Sequence, residues 1–466
     1  MKLVYGVSDK PSWGKTLVFA LQQLLAIMAA TIVVPVIVNG VAGSDLSQSG
    51  ALFGAGVGTL VYLLLTKFKS PVFLGSSFAF LGSMMAAFAG AASMAVGYLG
   101  LIIGATLAGL VYVIIALIVK RFGTAWINKL MPAVVIGPTV AIIGLSLAGN
   151  AVGDVLTGSY MDGANNATVY VGLACGLVTL FTTIACSVYG KKMVKMIPFI
   201  IGIGAGYAVA AIFTAISYAG DTPELLALRI INFEKFASAD WSKWYPDFTF
   251  VKAFSGDLSG FDGSYFLTLV AAYVPVAFVV FAEHIADHKN LSSIIEHDLL
   301  EEPGLHRTLL GDGIGSIAGA FFGGAANTTY GESIGCVAIS GNASVRTIFA
   351  TACMAIVLSF ILPFSILLST IPSCVMGGVC IALYGFIAVS GLKMIKGVDL
   401  EDNRNLFVVS VILICGVGGL AVSFGSKGQV TITEVAAALI LGILTNVLVH
   451  FRDNKAAKEV EEKPEE

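Results

Sequence analysis

Long stretches without a charged side chain dominate the hydropathy pattern of this chain. A transmembrane helix needs about 20 apolar residues to cross roughly 30 Å of hydrocarbon. The two longest charge-free runs, 70–119 and 347–392, must therefore hold at least two spans each. With the shorter apolar pieces around 313–345, the pattern predicts 13 or 14 crossings. The charge-free runs are 16–44, 46–66, 70–119, 130–153, 163–190, 196–220, 263–282, 347–392, 405–426 and 435–451.

Basic residues occupy every second loop between these runs. Lys120 and Arg121 follow span 4, for example, and Lys393 and Lys396 follow span 12. The alternate short loops contain no Lys or Arg, with Lys427 as the exception. Since cytoplasmic loops carry an excess of basic residues, the pattern predicts 14 spans and places both termini in the cytoplasm.

A polar segment divides the predicted spans into two equal groups. Residues 218–262 form a long outer loop, extracellular or periplasmic, between 1–217 and 263–451, with seven spans on each side. An odd number of spans gives the two halves opposite orientations, the arrangement of inverted-repeat transporters. Residues 452–466 form a charged cytoplasmic tail.

Composition supports the membrane assignment and excludes other classes. The 466 residues are 57% hydrophobic and 12% charged, with a mean hydropathy of +0.90, whereas soluble domains carry about 25% charged residues. A soluble enzyme, a disordered chain and a disulfide-rich module are excluded. A net charge of −3 gives no support for a nucleic-acid partner. The seven cysteines lie in apolar stretches and are expected to be packing residues rather than disulfides or metal ligands.

Two apolar segments, at matching places in the two halves, look like interrupted helices. Residues 71–80 and 323–332 begin extended, with Gly, Ser, Thr and aromatic residues, and then become helical at 81–93 and 333–341. Half-helices of this kind expose backbone N–H groups near the middle of the membrane, where transporters bind substrate. The alternative is a pair of glycine-kinked, closely packed helices.

Three acids lie in or beside apolar runs, where a carboxyl group is costly and is a functional candidate by default. Glu283 and Asp287 are spaced i, i+4 on one helix face, and Glu332 ends the second interrupted segment. Two alternatives stay open. Glu283 could lie at the cytoplasmic end of its span, and Glu332 could be a structural acid that caps its own half-helix.

The acids and the backbone donors together suggest a substrate class. Carboxylates accept hydrogen bonds, whereas exposed N–H groups donate them. A planar imide or lactam satisfies both, which favours a nucleobase over a sugar, an inorganic anion or a metal. An anion would require Arg or Lys, and neither interrupted segment contains one.

Several separated motifs together resemble the nucleobase/ascorbate transporter family, and within it the bacterial uracil:proton symporters. The resemblance covers nearly the whole chain. The motifs are Ala282-Glu-His-Ile-Ala-Asp287, Pro303-Gly-Leu-His-Arg307, Asn327-Thr-Thr-Tyr-Gly-Glu332, Gly75-Ser-Ser-Phe-Ala-Phe80, Gln22-Gln23 and Leu383-Tyr-Gly385.

The resemblance implies an all-α polytopic fold of 14 segments in two inverted seven-helix repeats. Spans 1–4 and 8–11 would form a core domain, and spans 5–7 and 12–14 a gate domain. Short strands would precede half-helices 3 and 10, and span 8 would start later than the charge-free run suggests. A multi-pass protein of the cell (inner) membrane is implied, with a homodimer as its assembly.

The resemblance also implies a site and a coupling ion. Glu283 would hold substrate and take part in proton coupling with Asp287, which stands where close relatives can carry histidine. Glu332 would accept from a ring N–H, and the N–H groups of Phe78 and Gly331 would donate to ring carbonyls. No cofactor is implied, and H⁺ is expected rather than Na⁺. The remaining expected site residues are Ala30, Ser77, Tyr330 and Tyr384, of which Ala30 and the tyrosines, with Phe78, would contact the ring faces.

Departures from the family pattern keep alternatives open. Ser333 and Ser340 replace an Asn and a Thr of the family signature, and Gln23 replaces a His. Purine-selective relatives tend to carry Gln where this chain has Glu332, which favours uracil over xanthine, urate or ascorbate. A purine permease and an anion transporter of the same architecture remain alternatives. A membrane enzyme or channel is less favoured because no catalytic motif accompanies His284 and His288, which are expected to be helix-face residues near the cytoplasmic edge.

Overall fold

A computed structural model describes residues 3–123, 132–191, 193–424 and 430–450, and these residues are mostly helical. The first half contains α1 (Trp13–Ala42), α2 (Gln48–Leu65), β1 (Leu74–Ser76), α3 (Leu81–Ala89), α4 (Met94–Phe122), α5 (Ala133–Ser146), α6 (Ala148–Val155), α7 (Thr168–Tyr189), α8 (Met193–Met196) and α9 (Pro198–Ser217). Three short helices follow: α10 (Pro223–Leu226), α11 (Glu234–Ala237) and α12 (Thr249–Phe254).

The second half repeats the mixture of long helices and short strands. It contains α13 (Gly263–Ile295), α14 (Leu305–Gly323), β2 (Asn327–Thr329), α15 (Gly331–Ser340), α16 (Val345–Ser359), α17 (Leu362–Ser369), α18 (Ser373–Met394), α19 (Asn403–Val417), β3 (Val422–Phe424), β4 (Val430–Ile432) and α20 (Glu434–Val449). The tail 452–466 and Lys427 lie outside the described residues.

Eight helices in the described part of the chain are long and apolar enough to cross a membrane, or nine if α16 and α17, bent by 82°, form one span. A multi-pass membrane protein is therefore confirmed. The count falls below the predicted 14 partly because α3, α19 and α20 are apolar but short. The figure of 14 stays a prediction.

Two three-residue strands, β1 and β2, lie side by side inside the helices. They pair antiparallel, with Leu74 opposite Thr329 and Ser76 opposite Asn327. The Leu74 N–H donates to Thr59 Oγ1 of α2 at 2.9 Å, so α2 supplies a hydrogen-bond acceptor to the outer edge of β1. All six strand residues are buried, which is the condition under which non-helical backbone is tolerated at membrane depth.

Glycines allow α2 and α14 to approach closely. A Cβ atom on Gly54 would lie 2.4 Å from the carbonyl oxygen of Gly319, and one on Gly58 would lie 2.7 Å from that of Gly315. Small residues at such contacts let membrane helices pack backbone against backbone. The close packing positions β2, which directly follows α14.

Helix α13, which contains span 8, extends well past the charge-free run 263–282. The helix begins at Gly263, where the Asp262 side chain accepts from the Tyr265 N–H, and ends at Ile295, and the start of span 8 within it stays a prediction. Its 33 residues give a length of about 50 Å. Glu283 therefore lies well inside a continuous helix, and not at its end.

The segment 218–262 is attached to elements of both halves of the chain. Lys252 forms an ion pair of 2.9 Å with Asp45, which lies between α1 and α2. Lys235 of α11 donates to the backbone oxygen of Ser369, the last residue of α17. The loop thus bridges elements of both halves.

Candidate functional site

The three candidate acids line a single cavity of about 360 Å³, within the size range of small-molecule sites. One wall comes from α1, α13 and α15, and the other from α5, the segment around α8 and α9, and α18. The lining residues are Ala26, Val140, Lys195, Met196, Pro198, Phe199, Glu283, Ala286, Asp287, Gly331, Glu332, Gly335, Cys336, Ile339, Leu383, Phe386, Ile387, Ser390 and Met394.

Local structure brings the acids together from two segments far apart in the sequence. Glu283 and Asp287 are one helical turn apart on α13. Glu332 is the second residue of α15, directly after β2. Thr329 of β2 donates through Oγ1 to Asp287 Oδ2 at 2.7 Å, so the strand holds one acid while the following helix presents another.

The N-terminus of α15 faces the same cavity. Gly331 begins this helix and lines the cavity beside Glu332. The first N–H groups of a helix have no intrahelical partner and carry partial positive charge. The cavity therefore combines backbone donors with carboxyl acceptors. The capping alternative for Glu332 remains compatible with this position, because the side chain lies in the first turn of its helix.

The other five predicted site residues lie outside the lining of this cavity and are buried: Ala30, Ser77, Phe78, Tyr330 and Tyr384. The rings of Phe78 and Tyr384 meet edge to face, with centroids 5.9 Å apart. Tyr330 donates through its hydroxyl to the Ser76 oxygen at 2.8 Å, so its ring packs across β1. Contacts of these residues with a substrate stay predictions.

Gln23 connects α1 to the start of α15. Its amide donates to Ser333 Oγ at 2.5 Å and to the Ser333 backbone oxygen at 3.2 Å. The same Ser333 hydroxyl accepts from the Phe73 N–H at 3.2 Å. Two of the three departures from the family pattern, Gln23 and Ser333, are therefore hydrogen-bonded to each other next to Glu332.

Two histidines of α13, expected on a helix face near the cytoplasmic edge, point into the helix bundle. His284 and His288 are fully buried. His284 Nδ1 is hydrogen-bonded to Asp312 Oδ2 at 2.7 Å, and its Nε2 to Thr308 Oγ1 at 3.0 Å. His288 Nε2 is hydrogen-bonded to the Tyr62 hydroxyl at 2.7 Å. Both rings therefore join α13 to neighbouring helices of the bundle.

Asp312 is a buried acid that the search for charge-free runs did not reveal. It lies on α14 and is fully buried, with Oδ1 lacking a hydrogen-bond partner among the described residues. The acid itself interrupts an apolar stretch, so the stretch was too short to register as a span. The signal that could have found it is the Gly311-Asp312-Gly313 sequence inside the otherwise uncharged run 308–331.

Comparison with known proteins identifies related sequences over nearly the full length. A family model described as the permease family matches residues 14–425. The uracil permease of Bacillus caldolyticus is 39% identical over 99% of this chain and 98% of its own. The uracil permease of Bacillus subtilis (strain 168) is 38% identical over 96% of this chain and 95% of its own.

A solved structure shares the fold at low sequence identity. The transmembrane domain of the cyanobacterial bicarbonate transporter BicA superposes with a TM-score of 0.60, at 16% identity, over 95% of this chain and 99% of that domain. At this identity the likeness concerns the fold alone.

Proposed function

The chain belongs to the permease family, whose members are transporters and not enzymes, and from that premise we propose that it imports uracil by proton symport. Its relatives at 38–39% identity carry the name uracil permease. A nucleobase is thereby the expected substrate class, and uracil the expected substrate.

One observation carries this proposal: Glu283, Asp287, Glu332 and the N-terminus of α15 share one cavity. Uracil presents ring N–H donors and carbonyl acceptors on adjacent edges. Carboxyl groups can accept from the former, and the first N–H groups of α15 can donate to the latter. The apolar wall of α18 would cover the ring face.

The proposed architecture is 14 spans in two inverted repeats, with a core domain from spans 1–4 and 8–11 and a gate domain from spans 5–7 and 12–14. The paired strands β1 and β2, each followed by a short helix at matching places in the two halves, support the repeat. The cavity lies between α13 and α15 of the proposed core and α5 and α18 of the proposed gate. Alternating access would expose it to one side at a time. A homodimer in the inner membrane with both termini in the cytoplasm completes the proposal.

Proton coupling is assigned to Glu283 and Asp287. Two carboxyl groups one turn apart titrate as a pair and can share one proton. Thr329 fixes Asp287 by a hydrogen bond, which leaves Glu283 to face the substrate. Binding of uracil and of the proton would then be linked through α13.

An anion substrate has one observation in its favour, because Lys195 lines the cavity. Three carboxyl groups face this one ammonium group, however. Repulsion between an anion and the acids would oppose binding, so we favour the neutral nucleobase.

Uptake measurements test the proposal directly. Cells that express the protein should accumulate radiolabelled uracil, excess unlabelled uracil should compete better than xanthine or hypoxanthine, and a proton uncoupler should abolish accumulation. Glu283→Gln, which removes one acid of the coupling pair, serves as the inactive control. Accumulation that survives the uncoupler, or that requires sodium, would overturn proton symport. Stronger competition by xanthine would overturn the assignment of uracil.

A further inference from the structure

A basic cavity of about 710 Å³ is separate from the acid-lined cavity, with which it shares no lining residue. It is formed by the N-terminal segment, the turn after α2 and the first turn of α16. Lys10, Lys67, Lys69 and Arg346 line it, against the single acid Asp9. On the proposed topology this is the cytoplasmic surface of the membrane.

Two of the four cations have other partners. Lys69 is paired with Glu302, and the Arg346 guanidinium lies 3.9 Å from the centre of the Trp13 ring. Lys10 and Lys67 have no acidic partner among the residues that the structure describes. Unpaired ammonium groups in a concave site favour an anionic ligand.

The walls of this cavity are held in place by backbone hydrogen bonds. The Val4 N–H donates to the Gly341 oxygen at 2.7 Å, and the Ala343 N–H donates to the Tyr5 oxygen at 2.9 Å. The N-terminal segment is thereby fixed against the residues before α16. Lys10 follows directly in this segment, so the backbone that carries its side chain is held in place.

The turn after α2 presents Lys67 through an uncommon backbone conformation. Lys67 and Phe68 have φ values of +54° and +56°, in the left-handed region that costs energy for non-glycine residues. The turn places the Lys67 ammonium and the Phe68 ring on one cavity, and Phe68 contacts Phe349 with ring centroids 6.4 Å apart. Strain of this kind persists where surrounding structure or function requires it.

An apolar groove of about 380 Å³ adjoins the basic cavity at Phe349, which lines both. Leu17, Leu21 and Leu24 of α1 form one side, Val357 of α16 lies on the other, and every lining residue is apolar. From the Trp13 level to Leu24 the helix rises about 16 Å, which is about half the hydrocarbon thickness. The groove thus has the depth of one leaflet.

We propose that these two cavities together bind one anionic phospholipid of the cytoplasmic leaflet. Its phosphate would contact Lys10 and Lys67, and one acyl chain would lie in the groove between α1 and α16. Basic pockets beside membrane helices bind anionic headgroups, and Trp13 lies at the level where aromatic residues meet headgroups. A soluble phosphate, or the acidic residues 459–466 of this chain, would leave the apolar groove empty, so the lipid fits the observations better.

Thermal unfolding of the purified full-length protein in detergent tests the proposal. Dioleoyl phosphatidylglycerol should raise the unfolding midpoint of the wild type more than dioleoyl phosphatidylcholine does. The Lys10→Gln/Lys67→Gln variant should need about 30-fold more phosphatidylglycerol for the same shift, from the loss of two lysine contacts. The matched control Lys120→Gln/Arg121→Gln, which removes two charges at the end of α4, should behave as the wild type. Native mass spectrometry of the wild type should detect one retained phosphatidylglycerol, a measurement that needs no variant.

Four results would overturn the proposal. The two lipids could stabilise the wild type equally, or the control variant could lose the effect as fully as the Lys10/Lys67 variant. Glycerol 3-phosphate could reproduce the full effect, which would indicate a soluble anion. Removal of residues 459–466 could abolish the lipid effect or lower the midpoint as much as the Lys10/Lys67 variant does, which would assign the basic cavity to the acidic tail.

Discussion

At the scale of single residues, each acid of the acid-lined cavity is positioned by a different local feature. Thr329 donates to Asp287, Gly331 begins the helix that presents Glu332, and Glu283 lies one turn before Asp287 on α13. A carboxylate only accepts hydrogen bonds, whereas an amide also donates. The type of side chain at each position therefore decides which edge of a ring can bind there.

Glu332→Gln should weaken uracil binding roughly 10- to 100-fold, because it replaces a charged acceptor of a ring N–H, and such hydrogen bonds contribute about 1.5–3 kcal/mol. Isothermal titration of purified protein with uracil measures the change. Glu301→Gln, an equivalent substitution at an exposed position before α14, should leave the affinity unaltered. Equal affinity of Glu332→Gln and the wild type would remove Glu332 from the binding site.

Sequence reasoning at this scale succeeded where an acid stood out against an apolar run. Glu283, Asp287 and Glu332 were found in this way, and the structure places all three on one cavity. Asp312 was missed because its own charge divided the run that contains it. Its hydrogen bond with His284 joins residues 28 positions apart, and no local pattern encodes such a pairing.

At the scale of elements, the interrupted segments were predictable and their partners were not. Gly, Ser, Thr and aromatic residues marked β1 and β2 as extended, since such residues suit strands and turns better than helices. The pairing of Ser76 with Asn327 joins residues about 250 positions apart. That register depends on how α2 and α14 pack around the strands, and no short stretch of sequence specifies it.

Gly54→Ala should destabilise the protein by about 1–3 kcal/mol, the usual cost of overpacking a tight contact. The new methyl group would lie 2.4 Å from a backbone oxygen of α14, and a backbone atom cannot rotate away. Gly149→Ala is the matched control, because no atom lies within 4 Å of its added Cβ. Thermal unfolding followed by size-exclusion chromatography compares the two variants. A Gly54→Ala midpoint equal to that of the control would show that α2 and α14 can separate at little cost.

At the scale of the whole molecule, the proposed topology places two cavities on opposite sides of the membrane. The acid-lined cavity includes Lys195 and Met394, next to loops assigned to the cytoplasm. A different cavity, of about 690 Å³, includes Ser365 together with Asp45 and Trp244, which the predicted topology assigns to the outer side, and it contains none of the three acids. Buried contacts such as that between Phe78 and Tyr384 are candidates for the barrier between the two sides. On the proposed topology, the described conformation connects the acids with the cytoplasmic side.

Thiol labelling of a cavity position would test this orientation and the access route together. In a Cys336→Ala background, a cysteine introduced by Ser390→Cys should react with a membrane-impermeant maleimide in inside-out vesicles, because Ser390 lines the acid-lined cavity. Uracil should slow the reaction by occupying that cavity. Ser365→Cys, on the outer cavity, is the matched control and should react only in right-side-out vesicles. If both positions react from the same side, the opposite placement of the two cavities is wrong. If Ser390→Cys reacts equally fast with and without saturating uracil, the substrate does not occupy the cavity that holds the three acids.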